Sequence, residues 1–261
     1  MNRRTVLRVL GSAGVVGAIP GVFETRIRAH AWMHYKVYGS GPTLMAFDST
    51  PKGYFDHFTN RYRVIVIDDR PTDTTQAFED SYTADGLCAD ILALADEVGA
   101  DRFAWYGFSF GGVVGLQLAC RTNRLTALVC GGWPPLDAQY RETLAVTEIE
   151  AAQGRAKLAR SFYRSIANWA ERDAVSKLTC PRMTFAGTKD AFVTAGYQIH
   201  IGSSIAEHRE ELERLGWTVR LVEGFGHELG AKPDVVTPLI REFLDPLLLR
   251  GIPLDETLRR R

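Results

Sequence analysis

Short apolar runs alternate with amphipathic stretches along most of the chain. The runs have the length of buried strands, whereas a buried helix would be longer. Helical periodicity is clearest over Ala84–Val98, where Leu87, Ile91 and Leu94 fall on or near one face. This alternation predicts a mostly parallel sheet joined by crossover helices. The predicted strands are Trp32–Tyr38, Thr43–Phe47, Tyr62–Ile67, Phe103–Tyr106, Leu125–Cys130, Met183–Ala186 and Thr218–Val222.

Three more helices are predicted in the part of the chain that contains these strands, which we call the body. Val113–Cys120 follows the fourth strand, Ser204–Leu215 is capped by Ser203 or Ser204 and ends before Gly216, and Pro238–Leu249 is the closing helix. We find no internal repeat and no glycine-rich nucleotide loop. The body therefore has two parts, residues 32–132 and residues 179–261.

Between the two parts, residues 133–178 contain no strand pattern. Helices are predicted there near Asp137–Ala151 and Ala156–Ala170. Parallel sheets bind ligands at the carboxyl ends of their strands, and an insertion after such a strand would cover the site as a helical lid. Most of its aromatic side chains are expected to pack the lid onto the body. The expected substrate-binding residues are Phe108 in the body and Trp133, Phe162 and Trp169 in the insertion.

Residues 1–31 have the three parts of an export signal. Arg3-Arg4 precedes a Gly/Ala-rich apolar stretch from Val9 to Val22, and Ala29-His30-Ala31 follows. The arginine pair resembles a twin-arginine leader, which predicts export. The apolar stretch is too short and too rich in glycine for a stable membrane span. The alternative is an uncleaved cytoplasmic protein. Thr25–Ala29 would then pair with Trp32–Tyr38 as the first hairpin of the domain.

Composition narrows the classes of function. Of 261 residues, 46% are hydrophobic and 24% are charged, which is typical of a soluble globular protein. The 31 basic and 31 acidic residues give zero net charge, so no electrostatic attraction to nucleic acid or anionic membrane is expected. The four cysteines and six histidines show no metal-ligand spacing. We therefore expect a small-molecule substrate and no metal or cofactor. The cysteines are expected to be small buried side chains rather than disulfides. The sequence does not indicate an oligomeric state.

The run Gly107-Phe108-Ser109-Phe110-Gly111 stands between a predicted strand and a predicted helix. A direct strand-to-helix turn holds its corner residue at positive φ and exposes the hydroxyl of Ser109. Side chains two positions before and after the corner would collide, so we expect a steric need for glycine at Gly107 and Gly111. The pattern favours a serine nucleophile over a glycine-rich turn that only ends a strand.

A serine nucleophile needs a base, and the base needs an orienting acid. His227 follows the strand Thr218–Val222 and a short turn, whereas the other five histidines lack a position at a strand's carboxyl end. Asp190 follows the strand Met183–Ala186 in the same way. A turn-forming aspartate is the alternative for Asp190, and Asp137 is the reserve candidate for the acid.

In the order Ser109, Asp190, His227 these residues resemble the α/β-hydrolase superfamily, from Tyr35 to the end of the closing helix. The resemblance implies an α/β fold, with a mostly parallel central sheet, helices on both faces and a small helical lid. It also implies a serine hydrolase in which Ser109 is the nucleophile, His227 the base and Asp190 its acid. The family's oxyanion hole would use the backbone N–H groups of Phe110 and, by position, Thr50.

Two loops depart from the family pattern. Many relatives have His-Gly where this chain has Asp48-Ser49, and many have a glycine-rich turn where this chain has Pro71–Thr75. A carboxylate at Asp48 would repel an oxyanion unless it is turned away. These departures bear on the substrate class more than on the triad.

The predicted function is acyl-enzyme hydrolysis of a small to medium, partly apolar ester-like substrate, of the carboxylesterase, lactonase or thioesterase type. Amidases and C–C bond hydrolases share the same machinery. Relatives with dehalogenase or epoxide hydrolase chemistry carry aspartate at the elbow, and this chain carries Ser109. The alternative is a non-catalytic small-ligand-binding protein on the same fold, favoured only by the altered Asp48–Thr50 loop.

Overall fold

Eight strands form one central sheet, and two more form a separate hairpin. The computed structural model describes residues 24–27, 33–47, 53–68 and 76–250, with residues 24–27 and 76–77 described by their backbone alone. The strands are β1 (Glu24–Ile27), β2 (His34–Tyr38), β3 (Thr43–Phe47), β4 (Arg63–Ile67), β5 (Phe103–Phe108), β6 (Leu125–Gly131), β7 (Arg182–Gly187), β8 (Ala191–Thr194), β9 (Tyr197–His200) and β10 (Trp217–Val222).

The sheet has the strand order β1-β2-β4-β3-β5-β6-β7-β10. Strand β2 pairs antiparallel with both β1 and β4, and every other pair in this sheet is parallel. The mostly parallel α/β sheet predicted from the sequence is confirmed. The seven predicted strands all occur, with ends that differ by two residues or fewer.

The β1–β2 pair corresponds to the hairpin in the alternative interpretation of the N-terminus. The arginine pair and the apolar stretch of the predicted leader lie outside the described residues.

Helices cover both faces of the sheet. The described helices are α1 (Gln76–Ser81), α2 (Ala84–Glu97), α3 (Phe110–Ala119), α4 (Tyr140–Ala152), α5 (Lys157–Ile166), α6 (Glu171–Ser176), α7 (Gly202–Glu207), α8 (Arg209–Arg214) and α9 (Pro233–Leu248). Short 3₁₀ helices occur at Tyr54–His57 and His227–Ala231.

Side chains of successive residues in the central strands pack alternately into two hydrophobic cores, one on each face of the sheet. Met45 and Trp105 belong to the core beneath α2, α3 and α5, whereas Leu44 and Tyr106 belong to the core beneath α9. All four side chains are almost fully buried. Burial of each large apolar side chain contributes about 1.5–3 kcal/mol to the stability of the fold. These contacts therefore stabilise the central strands, whose carboxyl ends carry the site.

Among the predicted helices of the body, two differ most from the structure. The closing helix begins at Pro233 instead of Pro238, because proline is well tolerated in the first turn of a helix. The predicted helix Ser204–Leu215 is divided into α7 and α8 at His208. The His208 ring donates from Nδ1 to the Ser204 carbonyl oxygen at 2.9 Å and so joins the two helices.

Within the described ranges, no helix combines the length and apolar character needed to cross a membrane. The same ranges contain no group of three His, Cys, Asp or Glu side chains placed to hold a metal ion. All four cysteines carry free thiols, with Cys88 and Cys130 buried and the other two partly exposed. Burial raises the pKa of the Cys88 thiol to about 12.

Candidate active site

Ser109 stands at the corner between β5 and α3. Its backbone has φ 54° and ψ −115°, a conformation that costs energy for a residue with a side chain. Two hydrogen bonds hold the corner. The Ser109 N–H donates to the Gly131 carbonyl oxygen at 2.8 Å, and the buried Trp105 Nε1–H donates to the Gly111 carbonyl oxygen at 3.0 Å.

The steric need for glycine is present at Gly107 and absent at Gly111. A Cβ at Gly107 would lie 1.9 Å from the Gly111 carbonyl oxygen, a backbone atom that cannot move aside. A Cβ at Gly111 would meet only the Phe47 side chain, at 3.7 Å, which is ordinary contact. The expectation for Gly111 is therefore wrong, because the turn presents its carbonyl oxygen, and not its Cα, to Gly107.

The structure brings Ser109, His227 and Asp190 together. His227 Nε2 lies 3.0 Å from Ser109 Oγ, and His227 Nδ1 lies 2.9 Å from Asp190 Oδ1. With Nδ1 protonated, His227 donates to Asp190 and leaves Nε2 free to accept the serine proton. This geometry can convert the hydroxyl into a nucleophile.

The turns that carry the acid and the base are hydrogen-bonded to each other. The Lys189 N–H donates to the Phe225 carbonyl oxygen at 2.9 Å, and the Thr188 N–H donates to the Val222 carbonyl oxygen at 3.0 Å. A Cβ at Gly187 would lie 2.0 Å from the Phe225 oxygen, so only glycine permits this approach. The spacing of acid and base is thus fixed by backbone contacts.

The acid and the base differ in burial. The Asp190 side chain has no exposed surface, whereas 32% of the His227 side chain is exposed. Two aromatic rings flank the imidazole: the Phe108 ring centroid lies 5.0 Å from the His227 ring and the Phe192 centroid lies 5.2 Å from it. Phe192 was not among the expected site residues.

The reserve acid Asp137 lies elsewhere. Its carboxylate pairs with Arg172 and His208, each at 2.7 Å, on the exposed side of the first turn of the insertion. The carboxylate that contacts His227 in the described structure is that of Asp190.

One of the two expected oxyanion donors is described. Phe110 is the first residue of α3, so its N–H has no acceptor within the helix and can donate to a developing negative charge. Thr50, and with it Asp48 and Ser49, lies outside the described residues.

The expected substrate-binding aromatics occupy different positions. Phe162 has no exposed surface and packs at 5.0 Å on Phe110, while Phe108 is 8% exposed and wedged against Phe185 and Gly230. In this structure both rings are covered by packing, Phe162 against Phe110 and Phe108 beside the His227 imidazole. Trp133 is also buried, beside Tyr163, whereas Trp169 is partly exposed.

Residues 45–177, about half of the chain, match the family model described as alpha/beta hydrolase fold. The chain belongs to the alpha/beta hydrolase fold family. Among curated alpha/beta hydrolases, the chain is 32% identical over 90 residues to the protein named "Putative carbamate hydrolase RutD" of Enterobacter cloacae. It is 32% identical over 111 residues to the protein of that name from Stutzerimonas stutzeri. These matches cover 33% and 37% of this chain and 34% and 41% of the relatives, so the chain spans well under half of their length.

Solved structures of alpha/beta hydrolases resemble the whole body. E-2-(acetamidomethylene)succinate hydrolase superposes with a TM-score of 0.62 at 17% identity, over 86% of this chain and 100% of that one. A thermophilic esterase from Thermogutta terrifontis gives 0.62 at 18% identity, over 83% and 94%. N-acyl homoserine lactonase AidH gives 0.63 at 14% identity, over 87% and 97%. At these identities the likeness concerns the fold.

Residues 133–178, the predicted insertion, contain three helices, α4 to α6, of which the third was not predicted. Helix α5 reaches the site, because Phe162 and Tyr163 both contact the Phe110 ring. The N-terminal end of α5 contacts α1, because Lys157 and Arg160 form ion pairs with the buried Glu79 of α1.

Glu171, the first residue of α6, is buried beside the start of the insertion. Its Oε2 accepts the Asp137 N–H at 2.5 Å, where the Asp137 backbone has φ 51°. Burial raises the pKa of the Glu171 carboxyl to about 7, and the N–H groups of Asp137 and Ala138 only partly oppose this. The two ends of the insertion therefore meet at a carboxyl group that titrates near neutral pH.

This pKa predicts a pH-dependent stability. Because the folded protein binds the Glu171 proton more tightly than the unfolded chain, the favourable contribution is complete below about pH 4.5 and is lost as the pH rises through about 7. From pH 5 to pH 8 we expect the stability of wild type, relative to Glu171→Gln, to fall by on the order of 2 kcal/mol. Urea unfolding at the two pH values measures it.

Glu148→Gln is the matched control, since the Glu148 side chain is about half exposed. Its stability should follow that of wild type at both pH values. Parallel pH profiles for wild type and Glu171→Gln would contradict the assignment.

Proposed function

We propose that this alpha/beta hydrolase is a serine hydrolase that acts through an acyl-enzyme on small to medium, partly apolar ester-like substrates. The observation that carries the proposal is the hydrogen-bonded chain from Asp190 through His227 to Ser109 Oγ, at 2.9 and 3.0 Å. Carboxylesters, lactones and thioesters are the candidate substrates. The names of the similar proteins, which include a carbamate hydrolase, an esterase and a lactonase, support carbonyl hydrolysis.

In the proposed mechanism Ser109 Oγ attacks the substrate carbonyl carbon while His227 Nε2 takes its proton. The oxyanion accepts a hydrogen bond from the Phe110 N–H, and a second hydrogen-bond donor is expected from the Asp48–Thr50 loop. His227 then donates its proton to the leaving oxygen, which departs as an alcohol. Water, deprotonated by His227, attacks the acyl-Ser109 ester and releases the acid. The buried Asp190 carboxylate stabilises the imidazolium formed in both steps.

We also propose that α4 to α6 cover the acyl group as a lid. The contact of Phe162 and Tyr163 with Phe110 supports this position. Trp133 and Trp169 are the lid residues proposed to meet the substrate.

Competition for a common acyl-enzyme tests the mechanism. Several butyrate esters with different alcohols are hydrolysed with methanol added to the buffer, and butyrate and methyl butyrate are measured. If every ester forms the same butyryl-Ser109, the product ratio will be identical for all of them.

A ratio that depends on the alcohol would contradict the acyl-enzyme. Parallel assays of acetates, octanoates, lactones, thioesters and carbamates identify the preferred substrate. Hydrolysis of none of them above the level of Ser109→Ala would count against an enzyme and favour a ligand-binding protein.

A further inference from the structure

The β8–β9 hairpin begins at Ala191, directly after Asp190, the acid of the proposed triad. The Asp190 carbonyl oxygen accepts the N–H groups of Ile201 and Gly202, at 3.0 and 2.8 Å, and so closes the base of the hairpin. At the tip, Ala195 and Gly196 both have positive φ, 47° and 83°, as a tight two-residue hairpin turn requires. The hairpin is thus a compact projection fixed to the site.

Strand register decides which side chains face the site. Phe192 pairs with Ile199, so the two side chains share one face of the hairpin. Ile199 is 6% exposed and belongs to the hydrophobic core, which turns this face toward the body. Val193 lies on the opposite face and is 71% exposed. The inward face brings the Phe192 ring within 5.2 Å of the His227 ring.

A second contact fixes the hairpin to the insertion. The Gln139 side-chain amide donates from Nε2 to the Gln198 carbonyl oxygen at 3.0 Å and accepts the His200 N–H at Oε1, at 2.7 Å. One side chain therefore bonds two of the backbone groups that a neighbouring strand would use on β9. The hairpin and the start of α4 are held as one wall beside His227.

The chemistry of acyl transfer identifies what would lie against this wall. His227 Nε2 must reach the leaving oxygen to protonate it, so the alcohol part of the substrate lies next to the imidazole. Of the two rings that flank the imidazole, Phe108 is 8% exposed and Phe192 is 37% exposed. Phe192 has the free apolar surface on the alcohol side.

We propose that Phe192 forms the wall of a subsite for the alcohol part of the substrate and selects apolar alcohols. The inference rests on the proposed function, because it uses Ser109 as nucleophile and His227 as the proton donor. In the selected step the Ser109 Oγ–acyl bond forms, the bond from the acyl carbon to the alcohol oxygen breaks, and the Ser109 proton passes through His227 to that oxygen.

Butyrate esters of methanol, butanol and benzyl alcohol test the subsite. In Phe192→Ala we expect the ratio of kcat/KM for benzyl over methyl ester to fall about ten-fold, the scale of discrimination by an apolar pocket. The ratio between methyl butyrate and methyl acetate should stay within about twofold, because the acyl side is untouched.

Val193→Ala is the control, because it also truncates an apolar side chain to alanine but lies on the opposite, exposed face of the same strand. It should keep the benzyl-to-methyl ratio of wild type. Gln139→Met, which removes both hydrogen bonds at similar length, should lower the ratio in the same direction as Phe192→Ala. Far-UV circular dichroism and thermal unfolding verify that each variant is folded.

Each outcome bears on one claim. An unchanged ratio in Phe192→Ala, or an equal loss for all three esters, would overturn the subsite while leaving the acyl-enzyme intact. An unchanged ratio in Gln139→Met would overturn the role of the two Gln139 hydrogen bonds to the hairpin. Absence of Ser109-dependent hydrolysis in wild type would instead remove the proposed function.

Discussion

Replacement of Ser109 by alanine is expected to lower kcat/KM for the preferred ester by at least about 10⁴-fold, and His227→Ala by a similar factor. Both variants break the proton path of 3.0 Å between Oγ and Nε2. Asp190→Asn should lose about 10⁴-fold in kcat, because asparagine favours the wrong imidazole tautomer. Steady-state kinetics on the butyrate esters measures these losses.

The triad is expected to act as a unit. The double variant Ser109→Ala, His227→Ala should therefore lose no more activity than the weaker single variant. Ser176→Ala serves as a control, since the exposed Ser176 hydroxyl bonds only a local carbonyl. Losses that multiply in the double variant would indicate independent roles and contradict the mechanism.

Gly107→Ala is expected to destabilise the protein by at least about 3 kcal/mol, whereas Gly111→Ala should change stability by no more than about 1 kcal/mol. The Gly107 methyl group would press on a backbone oxygen 1.9 Å away, and the Gly111 methyl group would enter ordinary contact at 3.7 Å. Alanine also favours the helix at position 111. Urea unfolding of both variants against wild type measures the difference.

The pair is matched in chemistry and lies on either side of the same corner. Equal destabilisation by the two substitutions would contradict the turn geometry described for Ser109. If Gly107→Ala yields no folded protein while Gly111→Ala is folded, the expected order holds.

The central strands were predictable because they are buried on both faces and appear as short continuous apolar runs. Phe103–Phe108 is an example, since every residue in it is buried. The prediction that Ser109, Asp190 and His227 meet rested on a general property of parallel sheets, whose carboxyl ends share one edge. Local sequence and topology together sufficed for this part of the site.

Other features depend on packing that no local pattern encodes. The β8–β9 hairpin turns at Ala195-Gly196 instead of the more recognisable Asn-Gly, and its strands are only four residues long. The signals available in the sequence were the strand-forming run Phe192-Val193-Thr194 before this dipeptide and the apolar–polar alternation of Tyr197–His200 after it. The burial of Phe162 depends on the contact between α5 and Phe110, which lies far from it in sequence.

Covalent labelling with a fluorophosphonate, located by peptide mass mapping, tests the central claim most directly. The probe reacts preferentially with an activated serine, and no substrate need be known. We predict one label per wild-type molecule on Ser109, none in Ser109→Ala and far slower labelling in His227→Ala. Folded wild-type protein that remains unlabelled, or that carries the label on another residue, would contradict the assignment of Ser109 as the nucleophile.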